Sequence, residues 1–289
     1  MTTREQWIAG ARPKTLPAAI APVLVGTAFA GYNATVLHTF LALVVALGLQ
    51  VGVNYANDYS DGVKGTDADR IGPMRLVGSG AATPKDVRNA AIISFLIAAI
   101  AGTIISSRTS WLLLIVGALA IVAAWTYTGG PKPYGYQALG EVSVFIFFGI
   151  VATVGTYYIQ VESVSREVLL ASFAMGALAC AILVLNNLRD LEKDQVADKK
   201  TLAVVMGDQA TRDLYKWLMF FALVMSVVLT FFSYFYLFAL ISLPLISKSV
   251  RAVSAGASGP ALIDLLAKTG RIQIIYAAAL SFAALLVAR

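Results

Sequence analysis

Apolar runs long enough to cross a membrane fill most of this chain, and short polar stretches separate them. A helix needs about 20 mainly apolar residues to span the hydrocarbon core of a bilayer. The runs predict nine transmembrane helices, at residues 16–31, 37–57, 89–106, 111–128, 139–159, 168–187, 213–232, 234–248 and 272–288. The eighth is the weakest, because it is short and contains Pro244. We therefore predict an all-α, polytopic membrane bundle that forms one domain over residues 1–289.

The composition leaves no room for a separate water-soluble domain. Hydrophobic residues make up 58 % of the chain and charged residues 13 %, and the mean hydropathy is +0.77. A soluble domain carries about 25 % charged residues. The shift extends over the whole sequence, so the lipid bilayer is the expected surrounding of the entire chain.

The basic residues lie almost entirely on one side of the predicted bundle. Of the 22 lysines and arginines, all but Arg108, Arg166 and Arg289 fall in the N-terminal segment or near the ends of even-numbered helices. Positively charged loops tend to stay in the cytoplasm. The asymmetry predicts a multi-pass protein of the cell membrane, with its N-terminus in the cytoplasm and its C-terminus outside. It also accounts for the net charge of +6, so a nucleic-acid partner is not needed to explain that charge.

Two acidic clusters end the second and sixth predicted helices. If both helices continue, each carries an asparagine and two aspartates on one face, Asn54, Asp58 and Asp61 in the first and Asn186, Asp190 and Asp194 in the second. Both would lie at the cytoplasmic surface, where they could face each other across the bundle. Carboxylates suit Mg²⁺, which usually takes one or two of them plus substrate phosphates. Basic residues nearby match a diphosphate that bridges the metal ions. The ordinary alternative is that each cluster is a solvated helix end.

Two short motifs and six longer blocks carry a resemblance to a known family. The motifs are Asn57-Asp58-Tyr-Ser-Asp61 and Asp190-Leu-Glu-Lys-Asp194. The blocks are residues 11–17, 57–67, 70–75, 127–136, 186–190 and 200–204. On these residues the chain resembles the UbiA superfamily of intramembrane aromatic prenyltransferases. Within that superfamily it is most similar to the menaquinone-pathway branch that prenylates 1,4-dihydroxy-2-naphthoate.

The resemblance implies a reaction at the cytoplasmic side of the membrane. A polyprenyl diphosphate ionises with the help of Mg²⁺, expected as two ions, and of basic residues that neutralise the leaving diphosphate. The allylic cation then alkylates the ring of 1,4-dihydroxy-2-naphthoate, whose carboxylate leaves as CO₂, giving diphosphate and demethylmenaquinone in its reduced, hydroquinone form. A bundle that excludes water and opens towards lipid suits the cation and the long isoprenoid tail.

The resemblance also implies roles for individual residues. The expected metal ligands are Asp58, Asp61, Asp190, Asp194, Asn57 and, in the loop, Asp67. The expected diphosphate-binding residues are Lys64, Arg70, Arg75, Lys132, Asn54 and Asn187. The expected catalytic residues are Lys132, Arg70, Arg75, Tyr127 and Tyr134, since a tyrosine ring can stabilise a cation through its face.

Each group also has an ordinary explanation. Loop acids are often only solvated, basic residues on this side set the topology, and tyrosines often form a belt at the interface. We assign Lys199 and Lys200 to topology. The acid Glu141 begins the fifth predicted helix, where a negative charge is favoured by the helix dipole. It could still help to position the acceptor.

Two positions depart from the family pattern. Gly65 stands where the superfamily often carries a third acid, so Asp67 would have to take its place. Val205 stands where many relatives carry an arginine, which removes one expected phosphate contact.

Three other functions remain open on the sequence. A related prenyltransferase could use another acceptor, such as 4-hydroxybenzoate or homogentisate. A CDP-alcohol phosphotransferase would need an Ala-Arg step that is missing after Asp61-Gly-Val-Lys64. A membrane cation transporter could use paired acidic clusters, but it would be expected to carry ionisable residues deep in several helices.

Overall fold

The computed structural model describes residues 2–65 and 74–288, and within these ranges the chain forms helices and no β-strand. The helices are α1 Arg4–Ala11, α2 Pro17–Phe29, α3 Val36–Lys64, α4 Pro84–Arg108, α5 Leu113–Thr126, α6 Gly140–Val161, α7 Arg166–Val196, α8 Leu202–Met206, α9 Asp208–Leu229, α10 Tyr234–Ser254 and α11 Pro260–Val287. The prediction of an all-α fold is confirmed.

The membrane-crossing helices follow the predicted order. Among the described residues, six helices are long and apolar enough to span a membrane, namely α3, α4, α6, α7, α10 and α11. The shorter apolar helices α2 and α5 correspond to the first and fourth predicted spans. Helix α9 corresponds to the seventh, with its charged residues confined to its first turns. Each of the nine predicted spans therefore coincides with one of these helices.

The two helices that carry the acidic clusters continue through them. Helix α3 runs to Lys64 and α7 to Val196, well past the predicted ends at 57 and 187. Gly65 ends α3 in the left-handed region, at φ +73, and its N–H donates to the carbonyl of Asp61. Glycine adopts this conformation without the clash that a Cβ would cause. Both acid stripes are therefore helical, as their spacing required.

Two late helices differ from the predicted boundaries. Pro244 does not interrupt α10, because it lies in the first turn of the α-helical part, after a 3₁₀ stretch over Tyr234–Ser242. A proline in a first turn removes an N–H that has no partner in the helix anyway. Helix α11 begins at Pro260 rather than at residue 272. The charged residues between these positions break the apolar run in the sequence but not the helix.

Helix α7 lies at the centre of the bundle. In its most apolar stretch 78 % of the residues are buried, against 22 % in α3, so most other spans keep a face for lipid. Helix α6 packs closely against α7 at two glycines, Gly149 and Gly176. A Cβ on Gly149 would lie only 2.5 Å from the Cα of Gly176, so a larger residue would not fit there. Gly149 belongs to a π-helical stretch over Phe145–Val151. Single π turns inside α-helices occur often at functional sites.

Several loops gather at the end of the bundle where α3 and α7 finish. The hydroxyl of Tyr55 donates to the carbonyl of Trp7 over 2.9 Å, which fixes α1 against the last turns of α3. The N–H of Ala138 donates to the carbonyl of Lys200 over 2.8 Å, which joins the loop before α6 to the segment after α7. The acidic clusters, the N-terminal segment and both loops therefore share one end of the molecule.

Candidate active site

A cavity of about 690 Å³ lies inside the described part of the bundle. Its longer part is apolar and is lined by residues such as Val45, Leu113, Val116, Phe148 and Ile159. Small-molecule sites typically enclose about 300–1,000 Å³ and are mainly apolar, with a few placed polar groups. The charged groups of the lining lie at one end, next to the ends of α3 and α7.

The polar end of the cavity is positively charged. Four basic side chains line it, Arg12, Lys14, Arg75 and Arg189, and the lining within the described ranges contains no aspartate or glutamate. Nη2 of Arg12 is buried and has no hydrogen-bond partner among the described residues. Such an arrangement suits an anion with several oxygens, because guanidinium groups bind phosphate and carboxylate oxygens through paired N–H donors.

Helix α3 fixes the segment that carries Arg12 and Lys14. The side-chain amide of Asn54 donates to the carbonyl of Ala11 over 2.9 Å and to the hydroxyl of Thr15 over 3.2 Å. The amide of the neighbouring Gln50 donates to the same hydroxyl over 3.1 Å. Asn54 was predicted to bind diphosphate, and it lines the cavity. Its amide nitrogen, however, is used to hold these two basic residues in place.

The carboxylate of Asp58 is fully buried and faces the loop that follows α3. Its two oxygens accept the backbone N–H groups of Leu76 and Val77, over 2.8 and 3.0 Å. These residues come directly after Arg75, so Asp58 holds the backbone beside an arginine of the cavity. The sequence predicts Asp58 as a metal ligand, and these contacts show in addition that it holds the backbone next to Arg75.

The carboxylate of Asp61 contacts three side chains among the described residues. One oxygen accepts the hydroxyl of Tyr136. The other lies 3.2 Å from Nζ of Lys199 and 3.8 Å from Nη2 of Arg75. All three contacts come from parts of the chain that are distant in sequence. Asp61 is therefore the point where α3, the loop before α6 and the segment after α7 meet.

Two ammonium groups lie near the ring of Tyr136, beside Asp61. Nζ of Lys64 lies 5.0 Å and Nζ of Lys199 lies 4.9 Å from the centre of this ring. Lys64 also donates to the carbonyl of Thr128 over 2.8 Å, and the hydroxyl of Thr128 donates to Oδ1 of Asn57 over 2.8 Å. Such cation–π contacts keep a positive charge close without neutralising it.

At the end of α7, the acid pairs with its own chain neighbour. Arg189 donates through Nε and Nη2 to the two oxygens of Asp190, over 2.8 and 2.7 Å. Nη2 of Arg189 also donates to Oδ1 of Asn186. The amide of Asn187 donates to Oε1 of Glu141 over 2.9 Å, whereas Oε2 of Glu141 is buried without a partner among the described residues.

Tyr127 lies between the two acidic ends. Burial, and after it the nearby Glu141, Tyr134, Asp61 and Asp194, raise the pKa of its phenol. Asp61 belongs to the end of α3 and Asp194 to the end of α7, so both clusters act on this one ring. The ring also meets that of Tyr134 edge-on, with 5.5 Å between the centres. Two neutral phenol rings therefore line the cavity beside its charged end.

The donor set fits a hard divalent ion, although the described residues do not gather a ready cluster. Within residues 2–65 and 74–288, no three acids, histidines or cysteines lie together as a metal site. Arginine and lysine side chains neutralise Asp61 and Asp190 instead. Carboxylate and amide oxygens are nevertheless the ligands that Mg²⁺ prefers. Asp61, Asp190, Asp194 and the amide oxygen of Asn57 are the donors that the two ends supply.

The predicted site residues divide into four groups. The cavity is lined by Tyr127, Tyr134, Arg75, Asn54 and Asn57. Behind this lining lie Asp58, Asp61, Asp190, Asp194 and Asn187. Lys64, at the end of α3, and Lys132, on the loop before α6, are exposed. Asp67 and Arg70 lie outside the described residues.

Four basic residues of the site were not predicted from the sequence. Arg12, Lys14, Arg189 and Lys199 were all attributed to membrane topology, which any cytoplasmic lysine or arginine satisfies. A signal for the first three was present, because they lie inside blocks that carry the family resemblance. Lys199 lies just before such a block, and only the packing of its loop against α3 reveals its partner.

Comparisons with known proteins agree over nearly the whole chain. The model of the UbiA prenyltransferase family matches residues 19–258. The 1,4-dihydroxy-2-naphthoate octaprenyltransferase of Mycobacterium tuberculosis is 47 % identical over 283 residues, which cover 97 % of each chain. The Escherichia coli protein of the same name is 37 % identical over 277 residues, covering 92 % of this chain and 90 % of its own.

Solved structures share the fold at low sequence identity. A UbiA homolog from Archaeoglobus fulgidus bound to GPP and Mg²⁺ matches with a TM-score of 0.69 and 16 % identity, covering 97 % of this chain and 99 % of that one. An apo UbiA homolog from Aeropyrum pernix K1 matches with a TM-score of 0.74 and 14 % identity, covering 93 % and 97 %. The resemblance drawn from the motifs is confirmed, and the chain belongs to the UbiA prenyltransferase family.

Proposed function

We propose that this chain transfers a polyprenyl group from a polyprenyl diphosphate to 1,4-dihydroxy-2-naphthoate, with release of CO₂ and diphosphate. The acceptor is taken from relatives that are 37–47 % identical and carry that substrate in their names. The observation that carries the proposal is the cavity, because it joins four basic side chains at one end to a long apolar interior. A polyprenyl diphosphate matches both parts, because its diphosphate is negatively charged and its isoprenoid tail is apolar.

The basic end of the cavity has a clear task in this reaction. The allylic C–O bond breaks and the diphosphate leaves with both electrons, so its oxygens carry more negative charge as the bond breaks. Arg12, Lys14, Arg75 and Arg189 are already placed to stabilise that charge. Fixed cations in a site that excludes water stabilise developing charge more than mobile water does.

The tyrosines and the apolar lining of the cavity act on the allylic cation, the other product of bond cleavage. The faces of Tyr127 and Tyr134 can stabilise the allylic cation, and the apolar lining keeps water from capturing it. The electron-rich ring of the acceptor then supplies the electron pair for the new C–C bond. Loss of the carboxylate as CO₂ returns an electron pair to the ring and restores its aromaticity.

Magnesium completes the proposed site. Solved structures of this fold are described as bound to Mg²⁺ together with DMAPP or GPP. In this chain Asp61 and Asn57 from α3, with Asp190 and Asp194 from α7, would hold two such ions. The ions would supply positive charge to the leaving diphosphate.

The orientation in the membrane is part of the proposal. The excess of lysine and arginine at the end that holds the cavity's basic residues favours a cytoplasmic site. A reporter fused after Arg289 should then be extracytoplasmic, and a reporter in the loop at residues 60–86 should be cytoplasmic. Both reporters on the same side of the membrane would contradict this orientation.

The direct test is an acceptor competition with purified protein in detergent. The protein would receive a prenyl diphosphate, Mg²⁺ and one of three acceptors, namely 1,4-dihydroxy-2-naphthoate, 4-hydroxybenzoate or homogentisate. We expect prenylated product from the first alone, with one CO₂ released from a carboxyl-labelled acceptor for each product molecule. EDTA should abolish the activity and added Mg²⁺ should restore it.

Each other result has a definite meaning. Product from 4-hydroxybenzoate or homogentisate alone would move the chain to another acceptor within the same family. Prenyl transfer that survives EDTA would remove the metal from the proposal. No prenyl transfer to any acceptor would refute it.

A further inference from the structure

Lys199 is a buried lysine whose charge is committed to one acid. Its side chain and that of Asp61 are almost completely removed from solvent, and Nζ lies 3.2 Å from Oδ2 of Asp61. The next residue, Lys200, is exposed. A residue that only sets topology has no need of burial or of a fixed partner, so Lys199 has a more specific role than its neighbour.

The backbone of Lys199 is fixed, and its ammonium group has a second neighbour besides Asp61. Its N–H donates to the carbonyl of Asp194 over 2.8 Å, and its carbonyl accepts the N–H of Thr201 over 2.9 Å. The ring of Tyr136 lies 4.9 Å from Nζ. This contact can keep the ammonium group near the site when it is not paired with Asp61.

A metal ion and Lys199 compete for the same oxygens. Two positive charges in contact with one carboxylate repel each other strongly in a buried site. Of the two cations that the described residues place at Oδ2 of Asp61, the lysine is the closer, at 3.2 Å against 3.8 Å for Arg75. It is also the more mobile, because an ammonium group on a flexible stem can rotate its donors towards a new acceptor. A diphosphate provides such an acceptor.

We propose that Lys199 is a resident counter-ion that occupies Asp61 until metal and diphosphate arrive together, and that it then binds the diphosphate. The inference rests on the metal and diphosphate of the proposed function. It makes the binding of the two ligands cooperative. A metal ion that binds alone must displace Lys199 from Asp61 and leaves the ammonium group without an ion pair. When diphosphate binds with the metal, Lys199 exchanges its ion pair with Asp61 for one with the diphosphate.

The test measures metal binding rather than turnover. Mn²⁺ would be titrated into the purified full-length protein, with its electron paramagnetic resonance signal reporting free ion, in the absence and presence of inorganic pyrophosphate. Pyrophosphate also binds Mn²⁺ in solution, so the same titration without protein provides the correction. In the wild type we expect Mn²⁺ to bind weakly alone and roughly 10- to 100-fold more tightly with pyrophosphate, within the usual range of coupling between two ligands.

Three variants separate charge from position. Lys199→Met should bind Mn²⁺ alone roughly 10-fold more tightly than the wild type and lose most of the effect of pyrophosphate. Lys199→Arg keeps the charge and should retain weak binding of Mn²⁺ alone. Lys200→Met removes a charge one residue away, on an exposed side chain, and should behave as the wild type. If Lys199→Met does not fold, as judged by gel filtration, Lys199→Gln takes its place.

The failures of the two proposals are distinguishable. A wild type that binds Mn²⁺ as tightly alone as with pyrophosphate overturns the counter-ion role. The same holds if Lys199→Met binds Mn²⁺ as the wild type does. A wild type that binds no Mn²⁺ even with pyrophosphate overturns the metal site of the proposed function, and the counter-ion role with it.

Discussion

The two acidic helix ends are alike in sequence but differ in how the structure uses them. At the end of α3, Asp58 and Asp61 contact residues that are far away along the chain, such as Leu76, Tyr136 and Lys199. At the end of α7, Asp190 pairs with Arg189, the residue beside it. Among the described residues, the carboxylates of the first end therefore contact several distant segments, whereas at the second end the described partner of Asp190 is its chain neighbour and Asn187 makes the distant contact, to Glu141.

The surroundings of the two helices explain this difference. Helix α7 lies at the centre, with 78 % of its most apolar stretch buried, so packing along its whole length already fixes its end. Only 22 % of the corresponding stretch of α3 is buried. Its end needs other anchors, and polar contacts from two loops provide them. A charged residue at the end of a helix with a lipid-facing side is thus better placed to hold loops than one on a central helix.

The largest expected effect belongs to the end of α7. Asp190→Asn removes a proposed metal ligand, so turnover should fall at least about 100-fold, which corresponds to roughly 2.7 kcal/mol of lost charge stabilisation. The variant should also unfold at a lower temperature, because the buried guanidinium of Arg189 loses its charged partner. Steady-state kinetics and a melting curve on the same preparation test both statements. Full activity would remove the end of α7 from the metal site.

The second effect concerns an arginine that the α3 end holds in place. Arg75→Lys keeps the positive charge and should insert normally, but an ammonium group cannot reproduce the planar fork of a guanidinium. We expect a loss of about 2–3 kcal/mol, or roughly 30- to 150-fold, mainly in kcat, because the diphosphate is more negative in the transition state.

The matched control for Arg75 is Arg88→Lys, an exposed arginine near the start of α4. It should keep the kinetics of the wild type. Equal kinetics in both variants would mean that Arg75 acts only through its charge or its topology signal. The same substitution at Arg70 is expected to lose activity as well, since the family resemblance implies a diphosphate contact there.

The third prediction concerns Asp58, an acid of the α3 end whose carboxylate accepts two backbone N–H groups from a loop. In Asp58→Asn one oxygen of the carboxylate becomes an N–H₂ group, so one of the buried N–H groups of Leu76 and Val77 loses its acceptor. The cost should be about 2 kcal/mol of unfolding free energy. A melting curve should record it, and hydrogen exchange at residues 76 and 77 should become faster.

The activity of Asp58→Asn distinguishes between two roles of Asp58, a support for Arg75 and a metal ligand. As a support for Arg75, Asp58→Asn should lose less turnover than Asp190→Asn and should resemble a mild form of Arg75→Lys. A loss as large as that of Asp190→Asn, with unchanged melting and exchange, would return Asp58 to the metal ligands that the sequence suggests.

Hydropathy and helical spacing predicted the parts of this molecule that depend on local sequence. The nine spans follow from the length of apolar runs, and the helical course of α3 through Asp61 follows from the spacing of its polar residues. The start of α11 was missed because Asp264 and Lys268 interrupt an apolar run without interrupting a helix. Hydropathy predicts the part of a helix that lies in the hydrocarbon, but it misses turns of the same helix that contain charged residues.

The partners of charged side chains were beyond the reach of the sequence. Asp58 and Asp61 look equivalent on a helical face, but residues 76 and 77 hold one and Lys199 holds the other. Nothing near Lys199 in the sequence separates it from Lys200. One is buried and the other exposed because the segment after α7 packs against the end of α3, and that packing depends on the whole fold.

The smallest expected effect concerns Lys132, which the family resemblance placed among the catalytic and diphosphate-binding residues. The structure places it on an exposed loop, outside the lining of the cavity. A charge in solvent is largely screened beyond about 8 Å at physiological ionic strength, so it adds little to a buried diphosphate. Lys132→Met should therefore change kcat/KM by less than about threefold, and Lys85→Met, another exposed lysine on the same side, should do the same. The measurement is kcat/KM for the prenyl diphosphate at low and high salt, since a remote charge would show an effect at low salt only. A loss of 30-fold or more at both salt concentrations for Lys132 alone would mean that the loop before α6 closes over the diphosphate, and that this lysine belongs with Arg75 at the end of α3.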